Sequence, residues 1–236
     1  MTRSEVIRYL VLRSIGNFLV LFAIFGVLAT FGPALFFEVR FRVQQFQGVK
    51  YVLADPTKTT SPLGEILKKY NGQQASLFSF GAFGNKTQVL IPTDTNFSIV
   101  IPKIGANAKV FPNVDPIHEE NYLPILKQGV AHAAGTALPD QKGTVYMFAH
   151  STDAWWDVGL YNAIFYLLKD MSIGDDVHVF YKGKRYDYRV SDKKITDASD
   201  VSYITHSKDT QNQLVLQTCW PPGTTWKRII VIAKPI

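Results

Sequence analysis

Cysteine is nearly absent from this sequence: Cys219 is the single thiol in 236 residues. One thiol cannot close an intramolecular disulfide, so a disulfide-stapled scaffold is excluded and the fold must rest on core packing. An unpaired thiol outside the cytoplasm is a liability unless it is buried or used. Charge is sparse too, 19% against 47% hydrophobic residues, which excludes a chain held open by its own charges. The net charge of +6 comes without any basic cluster interleaved with aromatics, so nucleic acid is not an expected partner. A basic surface instead suits anionic polymers or lipid headgroups. No histidine–carboxylate spacing suits chelation, so no metal or other cofactor is expected.

The longest gap in charge is local. Ser14 to Phe37 holds no charged residue and is dense in Leu, Ile, Val and Phe. A helix over Ile15–Phe37 would measure roughly 35 Å, enough to cross a ~30 Å hydrocarbon core. The run exceeds the ~7–15 residues of a signal-peptide core, and no small-x-small cleavage site follows it. Arg3, Arg8 and Arg13 precede it, offset by Glu5, and Arg40 and Arg42 follow. That bias predicts a single-pass cell-membrane anchor over residues 15–37, with residues 1–14 cytoplasmic and the remainder extracytoplasmic. Pro33 is expected to kink its last turns.

Residues 38–96 read as an extracytoplasmic extension. Asp55-Pro56 and Thr57–Pro62 carry turn chemistry. Ser61 can cap a short helix with Pro62 in its first turn, Leu63, Ile66, Leu67 and Tyr70 on one face, and Asn71-Gly72 as its stop.

From residue 97 the pattern turns strand-like. Phe97–Ile104, Thr144–His150, Asp176–Lys182, Arg185–Asp192, Gln213–Cys219 and Arg228–Lys234 are candidate strands, and Gly183 fits a tight hairpin. One helix is expected where Ile164, Leu167, Leu168 and Met171 form an apolar stripe that Gly174 ends. The fold expected for residues 97–236 is mainly β, a closed or nearly closed barrel of about eight strands with short helices in its connections.

The lone cysteine sits at the end of the apolar run Leu214-Val215-Leu216-Gln217-Thr218-Cys219, and Pro221-Pro222 stops the strand at once. His150 ends another candidate strand, and Arg228 begins the one after the cysteine. A cysteine nucleophile needs a partner for its proton and a donor for the oxyanion it creates, and one imidazole and one guanidinium at a barrel rim can supply both. Taken singly, each residue has a plainer reading: a small buried hydrophobe, a hydrogen-bonded core histidine, a solvated charge.

Together these residues resemble the sortase family, over most of Phe97–Ile236. Ile101-Pro102-Lys103-Ile104-Gly105 is similar to the opening strand of sortase domains. Gly129-Val130-Ala131-His132 followed by Gly135-Thr136-Ala137 resembles their G-x-x-H and G-T segment. Phe148-Ala149-His150-Ser151 resembles the histidine motif, with Ala149 in place of its glycine. Leu216-Gln217-Thr218-Cys219 resembles the T-L-x-T-C signature, with Val215 in place of its first threonine, and Arg228 stands where the family's arginine falls.

The resemblance implies a hydrolase-class cysteine transpeptidase with Cys219, His150 and Arg228 as its catalytic residues and no cofactor. Its implied partners are surface or pilin proteins bearing an L-P-x-T-G-like sorting signal, and an amine acceptor on a wall precursor or a pilin lysine. The short Cys219–Arg228 loop is closest to classes C and D. Asp55-Pro56 lacks the aromatic residue that follows in a class C lid. His132 matches a position near the active-site rim, and Trp155-Trp156 within Asp153–Asp157 can line substrate or pack.

Rival readings are weaker. An L,D-transpeptidase has its arginine two residues beyond the cysteine, where this chain has Pro221, and a papain-like protease places cysteine before histidine. The non-enzymatic alternative is an inert, membrane-tethered β-barrel that binds wall or partner peptides.

Overall fold

A computed structural model describes residues 3–54, 87–151, 164–205, 212–222 and 224–236. A single helix, α1, runs from Arg3 to Phe46, 44 residues. That is about 66 Å at the usual rise. Helix assignment is unbroken through Pro33 and continues past the expected span. Its stretch Arg3–Leu28 is long and apolar enough to cross a bilayer, and none of it is buried against the rest of the chain. The helix's end docks on the fold: Phe41 is 5% exposed, and Arg42 Nη2 lies 3.6 Å from Asp170 Oδ1. Beyond it, strand β1 (Lys50–Leu53) pairs in parallel with β2 (Thr87–Leu90). The expected helix after Ser61 and the Asp55-Pro56 segment lie outside the described residues.

The remaining strands are β3 (Phe97–Ile101), β4 (Ala106–Val114), β5 (Val130–Ala133), β6 (Thr144–Phe148), β7 (Asp176–Tyr181), β8 (Lys184–Asp197), β9 (Gln213–Trp220) and β10 (Lys227–Pro235). They close a barrel in the order β10-β8-β7-β3-β4-β5-β6-β9, mainly antiparallel with parallel β4/β5 and β6/β9 pairs. The fold is the expected mainly-β barrel with short helices. The pairings gather the C-terminal ends of β3, β6, β8 and β9 and the N-terminal ends of β7 and β10 at one mouth.

Local chemistry accounts for several joints. Tyr181 pairs with Lys184 across Lys182 and Gly183, whose φ values of 50° and 73° are both positive. That is the two-residue turn whose twist matches its strands. Gly129 has no room for a side chain, since a Cβ there would meet Lys109 O at 2.5 Å. Its place before β5 is set by that approach to β4.

Alternation along β6, β9 and β10 sorts residues onto two faces. Val145, Met147, Leu214, Leu216, Ile229 and Val231 point into the barrel's main core. Tyr146, Phe148, Val215, Ile230 and Ile232 form a second cluster on the outer face. There they meet helix α2 (Glu119–Leu126) through Tyr122, Ile125 and Leu126, and helix α3 (Ser202–Thr205) through Tyr203 and Ile204. Both faces of these strands are buried, so they read as continuous apolar runs. Each such side chain contributes roughly 1.5–3 kcal/mol of transfer free energy.

Three expectations are corrected. The strand from Phe97 stops at Ile101, and Pro102–Ile104 is a 3₁₀ turn, because Pro102 has no N–H for the ladder. The strand from Arg185 continues well beyond Asp192, to Asp197. Among the described residues the helix around Leu167 is a 3₁₀ turn, Tyr166–Asp170, whose Leu168 and the following Met171 plug the barrel core.

Candidate active site

Strand register brings the predicted residues together. Cys219 and Arg228 are direct cross-strand partners on β9 and β10. Directly opposed residues of an antiparallel pair have Cα atoms about 4.5–5.5 Å apart. On the other side of β9, the parallel ladder with β6 aligns Phe148 with Gln217. It is prolonged by Ala149 N–H donating to Gln217 O at 3.2 Å and by the Thr218 hydroxyl donating to Ala149 O at 2.9 Å. One further residue along, His150 arrives level with Cys219. All three lie at the barrel mouth, and Cys219 and Arg228 fall on the outer-face side of the alternation.

Thr218 explains part of the motif in physical terms. It is buried, and its hydroxyl ties β9 to the last carbonyl before His150. The bond therefore fixes the step between the histidine and the cysteine. Below the site, the Tyr146 hydroxyl donates to Gln217 Oε1. Tyr122 of α2 stacks edge-on against Phe148 at 5.8 Å and 86°. These aromatics floor a surface beside the cysteine that the sequence reading missed. The outward parity of Phe148 and Val215 was its only signal.

Electrostatics favour a resting thiol. Cys219 is half-buried, and burial pushes its thiol up from the ordinary value, while the Arg228 charge pulls it back only in part. His150 Nε2 is shielded from solvent. Arg228 Nη1 donates to Thr225 O at 3.0 Å and Lys227 O at 3.1 Å, which folds the guanidinium against its own loop. That loop is closed by Thr224, whose N–H and hydroxyl both donate to Pro221 O. Burial, then Glu119, raises the Tyr122 hydroxyl, and Arg228 opposes them.

His132 belongs elsewhere. It is fully buried on β5, and its ring meets Phe97 at 5.8 Å. Asn113 N–H donates to its Nδ1 at 3.2 Å, so that nitrogen carries no proton, and its Nε2 donates to Ala137 O at 2.9 Å. Burial also lowers its basicity, with the Ala137 bond opposing. A histidine held neutral this way is a structural pin and not a rim group. His178 pairs with Asp187 at 2.6 Å, and His118 with Asp115 at 2.5 Å. His206, Trp155 and Trp156 lie outside the described residues.

Residues 99–236 match the family model described as Sortase domain. The chain is 28% identical to Sortase D of Bacillus subtilis (strain 168) over 141 residues, 58% of this chain and 61% of that protein. It thus spans about three fifths of the length of that curated relative. Among solved structures it is similar to sortase C-1 from Actinomyces oris, with 22% identity and a TM-score of 0.49, covering 61% of this chain and 76% of that one. It is also similar to Clostridium perfringens sortase C with the C-terminal cell wall sorting motif, at 23% identity and a TM-score of 0.47, covering 59% and 69% of the two chains.

Proposed function

The chain belongs to the sortase family, and on that premise we propose that it is a membrane-anchored cysteine transpeptidase. It cleaves an L-P-x-T-G-like sorting signal through a thioester and passes the acyl fragment to an amine on a wall precursor or a pilin lysine. The carrying observation is the register that sets Arg228 opposite Cys219 and delivers His150 to the same level.

Chemistry follows from that arrangement. The resting thiol must lose its proton as Sγ attacks the signal's threonine carbonyl, and His150 takes it. A C–S bond forms, and the carbonyl oxygen becomes an oxyanion that the Arg228 guanidinium meets with charged N–H donors. Collapse breaks the C–N bond, and the imidazolium gives its proton to the departing amine. In the second half the incoming amine attacks the thioester, His150 removes its proton, and Cys219 leaves as the thiol. The protein enters the membrane through the apolar part of α1, with residues 1–14 in the cytoplasm and the barrel outside.

Cys219→Ala abolishes both cleavage and transfer in a peptide-plus-amine assay read by mass spectrometry, and His150→Ala is nearly as damaging because both halves move a proton. Wild-type turnover in either variant refutes the mechanism. Burial of the thiol is also what an inert peptide-binding barrel would show. Alkylation separates the two: a working Cys219 reacts with iodoacetamide in the native state, and an inert one reacts only after unfolding.

A further inference from the structure

The catalytic strand ends share their barrel mouth with the docking site of α1. The 3₁₀ turn Tyr166–Asp170 lies before β7 at this mouth, and Asp170 receives Arg42 from the helix at 3.6 Å. Arg42 follows Phe37, the end of the uncharged run, by five residues, about 7.5 Å along a helix. The polar layer on each side of a bilayer is roughly 5–8 Å deep. The ion pair therefore sits at headgroup depth, and the mouth of the barrel with it.

A cleft of about 520 Å³ opens at this place, with Asp170 on its rim. One wall is cationic, made by Lys169 and Lys193; Lys194 lies beside them on β8 but, paired with Ile230, turns its side chain to the outer face. Lys193 Nζ donates to Lys169 O and Met171 O, both at 2.7 Å; these are neutral acceptors that fix the ammonium in place without cancelling its charge. Lys169 and Lys194 each hold a neighbouring carboxylate, Asp170 at 2.8 Å and Asp192 at 2.9 Å. The opposite wall is apolar: Ile195, 55% exposed, with Ile229 and Trp220. Trp220 and Ile229 are the chain neighbours of Cys219 and Arg228.

We infer that this cleft binds the phosphate-bearing headgroup of a membrane lipid. The lysines meet the phosphate as point charges, and Ile195, Ile229 and Trp220 cover the first carbons behind it. A bound headgroup adds a second tether beside α1 and holds the reactive mouth against the bilayer surface. The inference rests on the membrane-anchored reading above.

The test uses the full chain in neutral detergent micelles, titrated with dihexanoyl phosphatidylglycerol and followed by tryptophan fluorescence. Wild type gives a saturable change, and Lys169→Gln weakens binding about fivefold, as loss of one cation near an anionic group implies. Ile195→Glu, on an exposed side chain, weakens it as well. Thermal midpoints of all variants stay near wild type, because none of the substituted groups holds the core. Equal lipid affinity in the variants overturns the proposal. So does inorganic phosphate that binds as tightly as the lipid, which would mark a site for a free anion. Flotation of the same chain with phosphatidylcholine vesicles reports the anchor separately. A chain that fails to float refutes the anchored reading, whereas one that floats but shows no lysine dependence refutes the cleft alone.

Discussion

Thr218→Val removes one hydroxyl and keeps the side chain's shape. The lost bond is the 2.9 Å contact to Ala149 O, made by a residue only 3% exposed. A net hydrogen bond contributes about 0.5–1.5 kcal/mol, and a buried acceptor left without its partner costs about 1–3 kcal/mol. The variant should therefore lose on the order of 1–3 kcal/mol and melt several degrees lower. The informative effect is kinetic. The bond sets the step of β6 against β9 where His150 follows Ala149 and Cys219 follows Thr218, so relaxing it misplaces base against nucleophile. A displacement of about 1 Å at a reacting pair can cost on the order of a hundredfold in rate. Turnover of a sorting-signal peptide should fall in kcat with little change in KM, and Thr218→Ser, which retains the hydroxyl, should recover most of it. A valine variant that melts lower but turns over normally would mean that Thr218 only packs, and that the latch does not align the site.

Further substitutions probe other parts of the account. Arg228→Lys should fail to rescue Arg228→Ala, because an ammonium lacks the planar fork, and kcat should drop on the order of a hundredfold to a thousandfold; a raised KM with normal kcat would make the arginine a substrate-positioning group instead. Leu216→Ala, at a site with no exposed surface, should cost about 2–5 kcal/mol in urea unfolding; a cost near zero would place the main core elsewhere. His132 is held with a folded pKa below its ordinary value, mainly by burial. The unfolded imidazole therefore takes up a proton first, and this group's contribution to stability is lost as pH falls below about 6.5. Its ring resonances should titrate at a lower pH than those of a free imidazole, and titration at or above the free value would contradict the pin.

The parts of the fold that were legible are those where one stretch of chain carries its own reason. The β7/β8 hairpin is written in Lys182-Gly183, and β6, β9 and β10 announce themselves as apolar runs because both their faces are covered. β4 was missed because Ala106–Val114 contains Asn107 and Pro112 and reaches burial only through its neighbours. β5 spans just Val130–Ala133, too short for a pattern. Helix α2 hid behind Pro124, a residue that argues against a helix interior, although His118 and the acidic first turn begin it. At the site, each of Cys219, His150 and Arg228 could be placed at a strand end. That β6, β9 and β10 are neighbours is a property of barrel order and of no local run. Tyr122 comes from the unread helix, so its approach to Phe148 had no sequence signal.

The central claim is that Cys219 carries the acyl group. Its most direct test is the intact mass of the full chain after brief exposure to a sorting-signal peptide without an amine acceptor. A mass gain equal to the peptide's N-terminal fragment is predicted, mapped to Cys219, released by hydroxylamine and absent from Cys219→Ala. Peptide cleavage with no adduct on Cys219, or cleavage that persists in Cys219→Ala, would contradict it.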